Sequence, residues 1–406
     1  MKASRRAVPV AADERTVIAL RSVVVALATA LISVTGLLAL LAGRVARRVV
    51  MPAVRVPDIQ LLDVDTAAQT ITVNRTPDTV LPGRYGLFTT GTQDYVKLGT
   101  VLSADATQVT RKLLTQIGPT DRLASEAAFS GWYFSSPEEL HVPFSSESIP
   151  TALGSCPAWL FPAPEATDVW AIHIHGRGTT RSESLRAVPV FRAAGITSLL
   201  VSYRNDGEAP RSRGGSYALG ATEWRDVDRA LGFARRRGAR RIVLMGWSMG
   251  GAIALQLALN SAHRDLIAGV VLDSPVVDWR RVLTYQARQI KVPKPLAELA
   301  LEALHQGWGS RVTGADAAIP FEKLDLVARA DELHRPTLIL HSDGDDFVPP
   351  SASYALAAAR PDIVQLERFA IARHTKLWNY DEDRWASVVR EWLDGQGLSA
   401  PAAAGS

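Results

Sequence analysis

The stretch RRIVLMGWSMGGAIALQLAL carries the clearest chemistry in the chain. A run of branched apolar residues gives way to Gly246-Trp247-Ser248-Met249-Gly250, and then to a segment rich in Ala and Leu. This is G-x-S-x-G set between a strand and a helix. A serine held on so sharp a turn exposes its hydroxyl for nucleophilic attack. A Cβ at Gly246 or Gly250 would collide with the neighbouring strand or helix. The turn also leaves the backbone N–H of Met249 free at a helix N-terminus, where it can stabilise an oxyanion. A tight turn that merely caps a helix would use similar residues; the flanking pattern and the extra Gly251 favour the nucleophile. A serine hydroxyl is a weak nucleophile at neutral pH, so a base must stand beside it.

The elements that would position Ser248 are legible on both sides. AWLF (158–161), VWAIHIH (169–175), TSLLVSY (197–203), RIVLMG (241–246), GVVLDS (269–274), TLILH (337–341) and IVQLERF (363–369) read as strands. Most are continuously apolar, as strands covered on both faces must be. Amphipathic stretches separate them, such as ATEWRDVDRALGFARRRGA with Trp224, Val227, Ala230 and Leu231 at helical spacing and Gly238 as its stop. The expected fold class is α/β, a mainly parallel sheet with helices on both faces.

From about Cys156 to Leu393 this pattern resembles the α/β-hydrolase superfamily. It looks closest to the prolyl-oligopeptidase-like and acyl-esterase branches, where serine, acid and histidine follow in that order. The resemblance implies an acid in TLILHSDGDDFVPP. Laying a pattern like H-G-x-x-D-x-x-V-P on His341 to Pro349 puts it at Asp345, with Ser342 standing where glycine is usual. Asp343, Asp346 and Asp273 are rivals, and the Asp-Gly-Asp-Asp run also suits a solvated turn. The base must follow on a loop after the last strand, which points to His374, the last of eight histidines. His141, His263, His305 and His334 lie in β-rich or helix-like sequence and read as surface or packing residues. His374 would take the serine proton and Asp345 would orient the imidazole.

The resemblance further implies that His175-Gly176 opens a loop whose Arg177 backbone N–H is the second oxyanion donor. Two alternatives stay open: the Arg177 side chain recognises an anionic group, or His173 and His175 bind metal. No third ligand accompanies that pair, so no metal is expected. Tyr203, in VSYRNDG, stands where it could line the mouth. Residues 278–333 break the strand–helix rhythm and read as helices over the C-terminal edge of the sheet, as a cap or as peripheral packing.

The N-terminal part is different. Ser22 to Ala42 contains no charge, and at 1.5 Å per residue it spans the roughly 30 Å hydrocarbon layer. It is longer than a signal-peptide core and ends in Arg44, Arg47 and Arg48 without a cleavage site, so an uncleaved anchor is expected. Five cations precede it (Lys2, Arg5, Arg6, Arg15, Arg21) and four follow (Arg44, Arg47, Arg48, Arg55), a slight bias toward N-terminus inside and an extracytoplasmic catalytic domain. The next stretch, with TITVN and YVKLGTVL, reads as two small antiparallel layers that carry no catalytic constellation.

The expected organisation is therefore a tail (1–16), a transmembrane segment (17–43), a β-rich region (44–150), a catalytic domain (151–397) and a disordered tail (398–406). Charged residues make up 21% and the net charge is only +4, with no long basic stripe, which argues against nucleic-acid binding. The single cysteine, Cys156, excludes an intramolecular disulfide. No cofactor is implied. The expected reaction is hydrolysis of an ester, thioester or amide of a small or lipid-like acyl substrate, carboxylic esters first. Acyl transfer, peptidase activity and an inactive membrane-tethered binding protein are the alternatives. Oligomeric state is not legible.

Overall fold

The computed structural model describes residues 14–52, 55–89, 95–121 and 123–400. The expected N-terminal tail lies outside these residues up to position 13, as does the end of the C-terminal tail from 401. The last described residues belong to the fold: Leu398 is buried, and the Ala400 N–H donates to the Ala194 carbonyl over 2.8 Å.

Helix α1 (Glu14–Val50) contains the charge-free stretch. Its span Val17–Val50 is long and apolar enough to cross a membrane. The hydroxyls of Ser22, Thr29 and Thr35 donate to the carbonyls four residues back, so none presents an unmet polar group to a lipid phase. Side chains before Ala42 are largely exposed, whereas Ala42, Ala46 and Val50, one stripe at four-residue spacing, are buried against the rest of the protein.

Six strands follow: β1 (Ile59–Asp65), β2 (Thr70–Asn74), β3 (Tyr85–Thr89), β4 (Tyr95–Ala104), β5 (Gln108–Leu113) and β6 (Glu126–Ser130). They pair antiparallel in the order β1-β2-β5-β4-β3-β6 as a closed barrel. The expected two layers are thus corrected to one. β1 pairs with β2 on one side and β6 on the other, so the sheet closes on itself. Alternate residues such as Ile71, Val73, Val109 and Leu113 fill the interior. Arg111 alternates inward with them and is fully buried.

The second sheet has eight strands: β7 (Ser145–Thr151), β8 (Gly154–Phe161), β9 (Val169–Ile174), β10 (Thr197–Val201), β11 (Arg241–Trp247), β12 (Ile267–Asp273), β13 (Thr337–Ser342) and β14 (Val364–Phe369). Their order is β14-β13-β12-β11-β9-β10-β8-β7. β9 to β14 run parallel, and β8 pairs antiparallel with β10 and β7, so the sheet is mainly parallel with a mixed edge. All seven strands expected from sequence are present. β7, within the stretch assigned to the β-rich region, is an additional polar edge strand.

Helices α2 (Val188–Ala193), α3 (Trp224–Arg236), α4 (Met249–Asn260), α5 (Trp279–Gln289), α6 (Lys294–His305), α7 (Ser310–Thr313), α8 (Ser351–Ala359), α9 (Leu377–Tyr380) and α10 (Glu382–Gly395) complete the chain. Phe191 of α2 and Trp385, Val389 and Trp392 of α10 cover one face of the sheet. Val227 of α3, Ile253 of α4 and Leu356 of α8 cover the other. From β9 the chain passes to β10 on one side, while β11 lies on the other. The loops leaving β9 and β11 therefore diverge at a topological switch point, where open parallel sheets form their binding crevice.

Candidate active site

β11 delivers Ser248 at the head of α4 with φ 50° and ψ −114°, a backbone region that L-residues rarely occupy. Its N–H donates to the Asp273 carbonyl over 3.0 Å, and its carbonyl accepts the N–H groups of Gly251 and Val276, so the turn is held from both sides. The flanking glycines are required by contact. A Cβ at Gly246 would lie 2.5 Å from the Gly250 carbonyl oxygen, and one at Gly250 would lie 2.1 Å from that of Ile174.

His374, on the loop after β14, reaches this turn. Its Nε2 is 2.9 Å from Ser248 Oγ and its Nδ1 is 2.7 Å from Asp345 Oδ2. With the proton on Nδ1, His374 donates to the carboxylate and accepts the serine hydroxyl. The other oxygen of Asp345 accepts the N–H groups of Phe347 and Val348 at 2.9 and 2.8 Å. Burial by itself would raise the Asp345 carboxyl. His374 and His341, the latter 3.4 Å away, outweigh it and hold the group well below the ordinary carboxylate range.

The rival acids are occupied elsewhere. Asp343 pairs with Arg368 at 2.8 Å and with the Tyr354 hydroxyl, and Asp346 pairs with Arg373. Asp273 is fully buried, which raises its carboxyl, and it accepts from Trp385 Nε1 and Ser274 Oγ, each at 2.9 Å.

A depressed carboxyl stabilises the fold while the unfolded chain would also be ionised, above about pH 4, and that contribution is lost as the pH falls toward the folded value. Asp345→Asn is therefore expected to be less stable than the parent at pH 7, with the gap in urea midpoint closing below pH 4. A stability gap independent of pH would contradict this reading of Asp345.

The loop leaving β9 passes close to the serine: a Cβ at Gly176 would lie 3.4 Å from Ser248 Cβ. Its shape is set by buried polar partners, of which sequence reasoning missed Glu183. Glu183 accepts the Gly176 N–H over 2.8 Å. The Tyr203 hydroxyl lies 2.9 and 3.0 Å from the carbonyls of His175 and Gly176. Tyr203 is thus beneath this loop, not at the mouth, and its ring stacks on His175, whose Nε2 meets Asp206 at 3.2 Å. A carboxylate seven residues beyond a βα turn was the available signal for Glu183.

The Arg177 side chain reaches the end of α1. Its Nη1 donates to the carbonyls of Val49 and Met51 at 3.0 and 3.2 Å, capping the last turn of α1. The carbonyl dipoles at the helix end thus hold one nitrogen of the cation. His173 is fully buried, which lowers it to about 3, and its Nε2 meets Ser198 Oγ at 3.0 Å. Cys156 is buried too, which pushes its thiol up to about 12, far from the range of a reactive cysteine.

The barrel packs on the segment just beyond the histidine. Lys376 pairs with Asp78 at 2.9 Å. Asn379 accepts the Arg84 N–H at its carbonyl over 3.0 Å and donates Nδ2–H to the Arg84 carbonyl over 2.7 Å. From the other side Arg186 donates to the Thr375 carbonyl and to Asn379 Oδ1. The β-rich region thus braces the loop that carries His374.

The fold and the crevice define an α/β hydrolase: residues 171–402 match the model of the alpha/beta hydrolase family, and the chain belongs to it. Residues 60–130, the barrel strands, match a domain of unknown function (DUF8805). Among curated proteins the chain is similar to the uncharacterized protein YqkD of Bacillus subtilis (strain 168), with 25% identity over 254 residues, 61% of this chain and 78% of that one. Among solved structures it is similar to an esterase of Pyrococcus furiosus, with TM-score 0.50 and 17% identity over 64% of this chain and 94% of the other. It is also similar to a puromycin-hydrolyzing peptidase of Mycobacterium tuberculosis, with TM-score 0.50 and 17% identity over 82% of this chain but 47% of that one. At these identities the two structures speak for the fold.

Proposed function

We propose that the chain is a membrane-anchored serine hydrolase that cleaves a carboxylic ester through an acyl-enzyme. The observation that carries this reading is the continuous chain Ser248 Oγ–His374–Asp345, with contacts of 2.9 and 2.7 Å. His374 removes the hydroxyl proton as Ser248 attacks the acyl carbon, then returns it to the leaving alcohol. Asp345 keeps the proton on Nδ1 and stabilises the imidazolium. The backbone N–H groups of Met249 and Arg177 receive the developing oxyanion. Water activated by the same imidazole then releases the acid. Thioesters and amides follow the same path, and an alcohol in place of water would make the reaction an acyl transfer.

The anchor is α1, with its N-terminus inside and the catalytic domain outside the cytoplasm, in keeping with the five cations before it and four after. Residues 278–333, which include α5 to α7, act as the cap. Full-length protein in detergent micelles, mixed with an excess of an aryl acetate, is expected to release one aryl alcohol per chain in a burst before a slower steady state. Absence of both burst and turnover would overturn the proposal.

A further inference from the structure

A cavity of about 700 Å³ lies between the end of α1 and the helices α5 and α6. Val45 and Val49 of α1, Ala287 of α5 and Leu304 of α6 line its walls. This volume is in the range of small-molecule sites, which are mostly apolar with few polar groups.

Its inner end adjoins the catalytic crevice from two sides. Phe347, which lines the cavity, has its ring centroid 5.1 Å from that of His374. Arg177, which also lines it, follows the glycine that faces Ser248. Gln286 of α5 donates to the Phe347 carbonyl over 3.0 Å, tying the cavity wall to the acid loop.

The outer end points to what fills it. The wall formed by Val45 and Val49 continues the helix whose exposed apolar residues run up to Leu41. At 1.5 Å per residue those two side chains lie about 6 and 12 Å beyond Leu41 along the axis. Arg44, Arg47 and Arg48 flank them, the position at which cations meet lipid headgroups. Ile290, at the end of α5, lines the same cavity and is 68% exposed.

We infer that this cavity binds the acyl chain of a long-chain carboxylic ester drawn from the bilayer, with the last two turns of α1 as one wall of the acyl site. The inference rests on the hydrolase reading above and names the substrate class of that site. An ester lying at headgroup depth would need to rise only about two helical turns for its chain to enter the cavity and its carbonyl to approach Ser248. The anchor is then part of the binding site as well as a tether.

The test uses the full chain reconstituted in phosphatidylcholine vesicles with aryl esters of two to twelve acyl carbons. Each added methylene should raise kcat/KM about three- to fourfold until the cavity is full. Ala287→Trp, which fills the cavity from α5, should lower the ratio of twelve-carbon to two-carbon kcat/KM at least tenfold. Val49→Phe, from the α1 side, should do the same if the first variant fails to fold. At constant bulk ester, added empty vesicles should slow hydrolysis of the long ester, because its density in the protein-bearing bilayer falls.

Turnover of the short ester with a flat chain-length profile would overturn the acyl site and leave the hydrolase reading standing. A rising profile untouched by either substitution would place the chain elsewhere and overturn it too. A rate that follows bulk concentration would overturn delivery from the membrane. Failure to turn over any ester would instead overturn the hydrolase reading itself.

Discussion

His374→Ala is expected to lower kcat on an aryl ester by about 10⁴- to 10⁶-fold, and Ser248→Ala by a similar factor. The double variant should be no slower than either alone. The reason is that the two side chains act as one unit: Ser248 Oγ is held 2.9 Å from His374 Nε2, and neither can transfer the proton without the other. Once one is gone, the oxyanion donors and substrate binding supply what rate remains. Steady-state kinetics on the three variants decide the matter. Additive losses, with the double variant slower by the product of the two factors, would mean that the residues act independently and would contradict the proposed relay.

Arg111→Met is expected to destabilise the barrel by about 3–5 kcal/mol. The guanidinium is fully buried, and burial lowers it to about 10, so it stays charged at neutral pH. Its donors reach the carbonyls of Gly99, Thr79, Leu81 and Gly83 at 2.7 to 3.0 Å. Methionine fits the volume but leaves four carbonyls without that partner in an apolar interior, where each unmet group is expensive. Urea unfolding of the full chain in micelles, followed by proteolysis within residues 59–130, measures the loss. A shift below about 1 kcal/mol would mean that water or neighbouring groups replace the arginine. Because Asp78 and Arg84 of the barrel region brace Lys376 and Asn379, the variant should also lose esterase activity before the larger sheet melts.

The catalytic half was legible because its signals are local. Seven apolar runs became strands, six of them parallel and most buried on both faces, where an unbroken apolar pattern is expected, and the Ser248 turn announced itself through its glycines. His374 and Asp345 came from chain order and the family pattern, and the fold brings them to Ser248. What escaped depends on contacts distant in sequence. β7, SSESIPT, is a polar edge strand paired with β8, so it carries no apolar signature. Barrel closure rests on β1 meeting β6 more than sixty residues later, which two-residue periodicity cannot specify. Arg111 alternates in register with Val109 and Leu113, yet a charged residue reads as outward-facing unless its carbonyl partners are known. Arg177 was singled out for its backbone, but its side chain answers to the end of α1, more than a hundred residues away.

The most direct test of the account is to quench the aryl acetate burst in acid, digest the protein and locate the acetyl group by peptide mass spectrometry. The account predicts one acetyl group per chain, on the peptide containing Ser248 and on the serine itself, and none in Ser248→Ala. Acetylation at another residue, or an undiminished burst in Ser248→Ala, would contradict it.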